Sequence, residues 1–243
     1  MGQANWTELA SSLSQSVVKR GVTAGVVKPN GGGNFVFGFN SLAVTEGVVG
    51  FTNNQVNYAP MTKGGSIRAA IKRVTGGGNT NFAPMLYIGL QGTDVSDAGY
   101  ILGLADNDPY HIVLRKGPLS EGLADQAPSP TVSPRVLLRS AETFNIDTWL
   151  HLRLDMIVEG TGDVILQAYK NDLTVNPVTA PVWTIVTGME GPQYPTVTGF
   201  IDDALGINTG LAPYTSGRAG FAFYSNDVTR RGLVDQIEVG RQL

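Results

Sequence analysis

His111 and His151 are the only histidines in the chain, and they bound the acid–base chemistry it could perform. Each lies in an alternating stretch with an arginine close behind, Arg115 after His111 and Arg153 after His151. A general base needs a nucleophile beside it, and a metal needs several ligands at suitable spacing. Neither histidine has such company, so both read as polar-face residues of strands. With no cysteine, thiolate chemistry, thiolate metal sites and disulfides are excluded.

Carboxylates gather at "ADNDPY" (105–110), "IDD" (201–203) and "VDQIEV" (234–239). A glycosidase needs two carboxyl groups about 5–10 Å apart across the scissile bond. Asp235 and Glu238 are three apart, which on a regular strand points them to opposite faces. Asp106, Asn107 and Asp108 have turn character, their side chains bonding the local backbone. As a calcium site they would need most of about six or more oxygens from elsewhere. The glycine-rich stretches "PNGGGNF" (29–35) and "TGGGNTNF" (75–82) lack the Gly-Lys-Ser/Thr ending and following helix of a phosphate loop, and read as hairpin tips. No cofactor is expected.

The elements that would position these residues are strands. In "TWLHLRLDMIVEGTGDVILQAYKND" (148–172), Leu152, Leu154, Met156 and Val158 share one parity, and His151, Arg153 and Asp155 the other. After the turn, Val164, Leu166 and Ala168 oppose Gln167 and Tyr169. This predicts a long hairpin with one apolar and one polar face. On its polar face His151, Arg153, Gln167 and Tyr169 form a candidate glycan patch. Similar strands are expected at 22–27, 35–42, 47–52, 66–74, 85–91, 99–105, 110–116, 135–140, 182–186, 218–224 and 232–239. Short strands separated by Gly, Asn, Pro and Asp indicate an all-β antiparallel sandwich. In the last strand Asp235 shares parity with Leu233, Ile237 and Val239, which predicts an inward carboxylate in need of a partner.

One segment breaks the pattern. Asn5 as cap, Glu8 three residues on, and the stripe Trp6, Leu9, Ala10, Leu13, Val17 predict an amphipathic helix over residues 5–20, closed by Gly21. Its apolar stripe must cover the chain's own sheet or dock on a neighbour, so Trp6, Leu9, Leu13 and Val17 are the candidate partner interface. The expected organisation is a helical arm, 1–21, and a single sandwich domain, 22–243, with long loops at 117–135 and 188–217. Loops of that length in a compact domain are usually functional or mobile.

Bulk properties narrow the partners. A net charge of -3 argues against a nucleic-acid binder, whose footprint is basic. No run of about 18 apolar residues would span a membrane. The start, "MGQANWTELASS", lacks the basic and apolar regions of a secretory signal, and Trp6 stands where a myristoylation motif wants Ser or Thr.

Residues 148–173 resemble the paired strands of concanavalin A-like, laminin-G-like sandwiches, in which a Trp opens an alternating strand and the return strand ends in a Tyr-x-Asn-Gly-like turn. Here the turn is Tyr169-Lys170-Asn171-Asp172. "GRAGFAFYSNDVTRRGLVDQIEV" (217–239) resembles the same family's last two strands. The resemblance implies a jelly roll of two curved antiparallel sheets, in a family whose members bind glycans or calcium, hydrolyse glucans or only adhere. The acid array of its hydrolases, similar to Glu-x-x-Asp-x-x-Glu, is not present, so no enzymatic activity is expected. The N-terminal "NWTELASSLSQSVVKRG", the cysteine-free Gly/Asn/Thr-rich body and the Pro-rich loops are similar to tailed-bacteriophage virion proteins. That resemblance implies a structural protein of the capsid decoration, tail or baseplate. Its partners would be other virion proteins and copies of itself, in a virion assembled in the host cytoplasm. The alternative is a carbohydrate-binding adhesion module, and a glycoside hydrolase stands behind it.

Overall fold

The computed structural model describes residues 64–74, 82–105, 110–123, 129, 131, 135–188, 199–225 and 231–241, together with backbone strands at 6–8, 17–21, 36–40 and 47–53. Its strands are β1 (Trp6–Glu8), β2 (Val17–Gly21), β3 (Val36–Asn40), β4 (Gly47–Asn53), β5 (Gly64–Val74), β6 (Phe82–Leu90), β7 (Ala98–Leu104) and β8 (His111–Pro118). They continue with β9 (Arg135–Thr143), β10 (Trp149–Val158), β11 (Val164–Asn171), β12 (Thr184–Ile185), β13 (Phe200–Asp202), β14 (Arg218–Ser225) and β15 (Arg231–Arg241).

Two antiparallel sheets result. A seven-stranded sheet runs β1-β4-β14-β6-β7-β8-β9, and an eight-stranded sheet runs β12-β11-β10-β5-β15-β3-β2, with β13 also on β11. Alternation along each strand sends Leu86, Ile88, Leu102, Ile112, Leu114, Phe221 and Phe223 of the first sheet against Ile67, Ile71, Leu152, Leu154, Met156, Leu166 and Val234 of the second. Each such side chain, fully withdrawn from water, contributes about 1.5–3 kcal/mol. The other face of the seven-stranded sheet is also closed. Met85, Tyr87, Ile101, Val113 and Ala222 are covered there by Val95, Leu119 and Leu123. Leu119 and Leu123 come from the start of the first long loop, where Leu119–Glu121 form a turn of 3-10 helix.

The helix expected over 5–20 is not what its described parts form. Trp6–Glu8 pairs with Phe51–Asn53 and Val17–Gly21 pairs with Val36–Asn40, both as antiparallel strands. Leu9, Leu13 and the rest of 9–16 lie outside the described residues, as do 22–27, 29–35, 75–81 and 106–109. The physical reason is non-local. The edges of β3 and β4 carry backbone donors and acceptors that need partners, and pairing them outweighs the local 3.6-residue stripe at its two ends, where Trp6 and Val17 are types that suit a pleated strand.

One glycine is required by its surroundings. Gly64 opens β5 at φ +102°, and a Cβ there would lie 2.0 Å from the Met156 carbonyl oxygen. Gly64→Ala is therefore expected to destabilise the domain by at least ~1 kcal/mol, because both backbone conformation and space oppose a side chain. Urea unfolding reads this directly; an unchanged midpoint would refute it.

Candidate functional site

The polar face of the β10–β11 hairpin lies on the outer surface of the eight-stranded sheet. Pairing aligns His151 with Asn171, Arg153 with Tyr169 and Asp155 with Gln167 on one side, and with Ala70, Arg68 and Ser66 of β5 on the other. Period-two alternation alone places these side chains on one face, opposite Leu152, Leu154 and Met156 in the core.

The last strand adds to this face in a way simple parity did not predict. A bulge between Asp235 and Glu238 leaves Asp235 opposite Ala70 and Glu238 opposite Arg68, so the two acids share a face instead of opposing each other. Gln236 absorbs the extra residue with a left-handed φ of 54°. The same bulge returns Ile237 to the core beside Val234. Asp235 is buried as expected, but outside the main core, and its Oδ1 accepts from the Gln236 N–H at 2.9 Å.

Across four strands the row reads Glu238, Arg68, Arg153, Tyr169. Two guanidinium groups face each other on neighbouring strands, and each carries its own carboxylate. Arg153 donates from Nε and Nη2 to the two oxygens of Asp155 at 2.7 and 2.6 Å. Arg68 Nη2 donates to Glu238 Oε2 at 2.5 Å. The Asp155 bonds strengthen the hold of Arg153 on its proton. The same guanidinium lies 5.4 Å from the centre of the Tyr169 ring, and Tyr169 OH donates to Gln167 Oε1 at 2.9 Å. Two rows further along, past Asp155 and Gln167, Ile157, Ile165 and Ile201 stand side by side on β10, β11 and β13.

Arg153, Gln167 and Tyr169 are thus brought together, half-buried and interlocked. His151 is in the same row system but is buried, beneath a Trp183 ring at 4.6 Å. Its Nδ1 accepts from Asn171 Nδ2 at 3.2 Å, and its Nε2 has no hydrogen-bond partner among the described residues. Asn171 in turn accepts from the Val182 N–H at 3.0 Å, which holds the Trp183 segment down. His151 therefore fixes the cover over one end of the face and does not contact the surface. His111 is buried as well, with Nδ1 donating to the Ser140 carbonyl at 2.7 Å.

Burial, and secondarily Arg68, lowers the His151 pKa from 6.5 to about 4. The folded state thus refuses a proton that the unfolded chain accepts. Stability falls as the pH drops from about 6.5 to about 4 and levels off below, a loss on the order of 3 kcal/mol. His151→Phe should flatten that part of the pH–stability curve in urea titrations; an equal slope in the variant would remove His151 as its source.

A second polar assembly lies at one end of the core, between the sheets. Lys116 follows Ile112 and Leu114 on the inward parity of β8, directly across from Tyr100 on β7. Asp202 follows Phe200 inward from β13 of the opposite sheet. Both side chains are fully buried, and Lys116 Nζ meets Asp202 Oδ2 at 2.6 Å. Thr209 Oγ1, Leu211 O and Ala212 O also lie 2.8–3.0 Å from Nζ, so its three N–H groups are shared among four acceptors. Tyr100 OH donates to Asp202 Oδ2 at 2.5 Å and accepts from the Tyr214 N–H at 2.9 Å. Every strong group in this cluster is satisfied, so it fastens the end of the second long loop to both sheets. The sequence carried a readable sign of it: a lysine on the apolar parity of "HIVLRKG" demands a carboxylate.

The loop so fastened displays aliphatic side chains. Leu205 is 83% exposed, Ile207 71%, Ile201 47% and Leu211 40%. Asp203 accepts from the N–H groups of Leu205, Ile207 and Asn208, at 3.1, 2.9 and 2.6 Å, and Arg135 Nε donates to Thr209 O at 2.9 Å. Among the described residues no group of three His, Cys, Asp or Glu side chains is placed to hold a metal ion, and no helix is long and apolar enough to cross a membrane.

No protein-family model matches the sequence, and neither does any curated protein. Solved structures do share the fold. The marine PL-14 alginate lyase from Aplysia kurodai aligns with a TM-score of 0.53 at 10% identity, over 96% of this chain and 97% of that one. The metal-free carbohydrate recognition domain of Emp46p aligns with a TM-score of 0.51 at 9% identity, over 98% and 87%. At such identities the likeness is one of architecture: the chain shares their jelly-roll sandwich of two antiparallel sheets.

Proposed function

We propose that this chain is a non-enzymatic structural protein of a tailed-phage particle, a capsid-decoration, tail or baseplate component that works through contacts with other virion proteins and with copies of itself. The observation that carries the reading is the 201–211 loop. Its aliphatic side chains face solvent while its backbone is anchored by Asp203, Arg135 and the buried Lys116. Apolar groups presented on a pre-ordered segment mark a contact surface, because little entropy is lost when a partner covers them. The test is composition: mass spectrometry of purified particles of the encoding phage should find the chain at fixed stoichiometry. Finding it only in the soluble lysate would contradict the proposal.

A second reading is favoured by the hairpin face. Arg153, Gln167 and Tyr169, with Arg68 and Asp155, form a pre-ordered polar surface with an aromatic ring, of the kind that holds sugar hydroxyls. In keeping with it, the fold carries carbohydrate recognition in Emp46p. On this reading the chain is an adhesion module, and glycan binding should be lost in Tyr169→Ala and in Arg153→Ala, with the melting temperature kept in Tyr169→Ala.

A further inference from the structure

We infer that the hairpin face takes an uncharged glycan, and that Asp155 is the residue that sets this selectivity; the inference rests on the glycan reading above. The argument is one of local charge. Both arginines of this face are neutralised at hydrogen-bond distance by a carboxylate of their own, Arg153 by Asp155 and Arg68 by Glu238, while Lys72 stands two rows from Arg68 on β5, beyond Ala70. A uronate or sulfate could reach Arg153 Nη1 alone, and a bidentate hold on the guanidinium would have to displace charge-assisted bonds from Asp155, which is itself mostly buried and held in place by the strand pairing. It would also meet the negative charges of Asp155 and Glu238 on the way in.

A neutral diol meets no such barrier. On Arg153 the bonds to Asp155 engage Nε and Nη2, and Nη1 makes none among the described residues; on Arg68 only Nη2 is engaged. Each ion pair therefore offers a donor and an acceptor side by side, which is the pattern of a sugar hydroxyl that accepts from one group and donates to the next. The Tyr169 ring, and the Ile157, Ile165 and Ile201 row beyond it, supply apolar surface for the C–H faces of the sugar. His151 takes no part, since Trp183 covers it.

The experiment is a glycan array carrying neutral gluco- and manno-oligosaccharides beside uronate, sulfated and sialylated ones, probed with the full chain and with Asp155→Asn. The wild type is expected to bind neutral members only, with affinity that persists at high salt. Asp155→Asn frees the Arg153 guanidinium and should raise binding to acidic members about tenfold, equivalent to ~1.4 kcal/mol. Glu238→Gln, at a more exposed position, should do the same for Arg68 and guards against a folding defect in the first variant. Wild-type binding to acidic glycans alone would overturn the inference and leave the glycan reading standing. Neutral binding with no acidic gain in either variant would remove Asp155 from its role. Binding to neither class would end the glycan reading and this inference together.

Discussion

Lys116→Ala is expected to cost about 3–5 kcal/mol of folding stability, the largest effect of any single substitution discussed for this chain. The figure follows from what the change leaves behind. Asp202 is fully buried against Lys116, and removing the ammonium leaves its carboxyl group buried without the partner that offsets its desolvation. Leu211 O and Ala212 O lose their donor at the same time. Tyr100 cannot substitute, because burial and the neighbouring Asp202 push its phenol strongly towards the protonated form, so it remains a hydrogen-bond donor and never supplies positive charge. Burial pulls the Lys116 pKa down while Asp202 draws it back up, which makes the pair interdependent. The double variant Lys116→Met with Asp202→Leu should regain part of the loss, because it removes the uncompensated charge while Leu211 O, Ala212 O and Tyr100 OH stay without their partners. Urea unfolding of the single and double variants measures both. A loss below about 1 kcal/mol for Lys116→Ala would show that the pair does not fasten the sheets.

The second large effect concerns assembly. Leu205→Asp with Ile207→Asp places two charges where the proposal needs apolar contact. The two side chains are the most exposed of the aliphatic set, and their own backbone N–H groups are already held by Asp203. The fold should therefore tolerate the change, with a melting temperature within a few degrees of wild type, because surface substitutions away from buried features usually shift stability by no more than about 0.5 kcal/mol. Incorporation into particles should fall by about tenfold or more, since each charge must be desolvated at a contact without a counter-charge. Complementation of a deletion phage, with the particle-bound fraction quantified on blots, distinguishes the outcomes. Normal incorporation of a folded double variant would move the contact surface elsewhere.

Much of the architecture is legible from alternation alone. β10 (Trp149–Val158) and β11 (Val164–Asn171) form the hairpin that period-two patterning predicts over 148–172. That hairpin is readable because both faces obey the rule without interruption. The face it presents was legible for the same reason: Arg153, Gln167 and Tyr169 needed only strand parity to be grouped. His151 obeyed parity too, yet its burial under Trp183 comes from a segment more than thirty residues away, held by Asn171, and no local pattern encodes it.

The misses share a cause. Asp235 and Glu238 were set on opposite faces because parity assumes a regular strand, and the bulge at Gln236 breaks that assumption. β13 lies inside what composition marks as a long loop, since three residues are too few to show a period. At Trp6–Glu8 and Val17–Gly21 a helical stripe gave way to pairing with distant strand edges. Lys116 stands on the apolar parity of β8, but Asp202 lies in a segment too short to have a period, and only the tertiary fold joins them.

The most direct test of the assembly account is hydroxyl-radical footprinting of the free protein against purified particles, read at individual side chains. Oxidation of Ile201, Leu205, Ile207 and Leu211 should drop severalfold in the particle, while Val175 and Val182, exposed near the opposite end of β11, serve as internal references. If all four aliphatic residues are labelled equally in both states, the pinned loop is not the contact surface and the account fails.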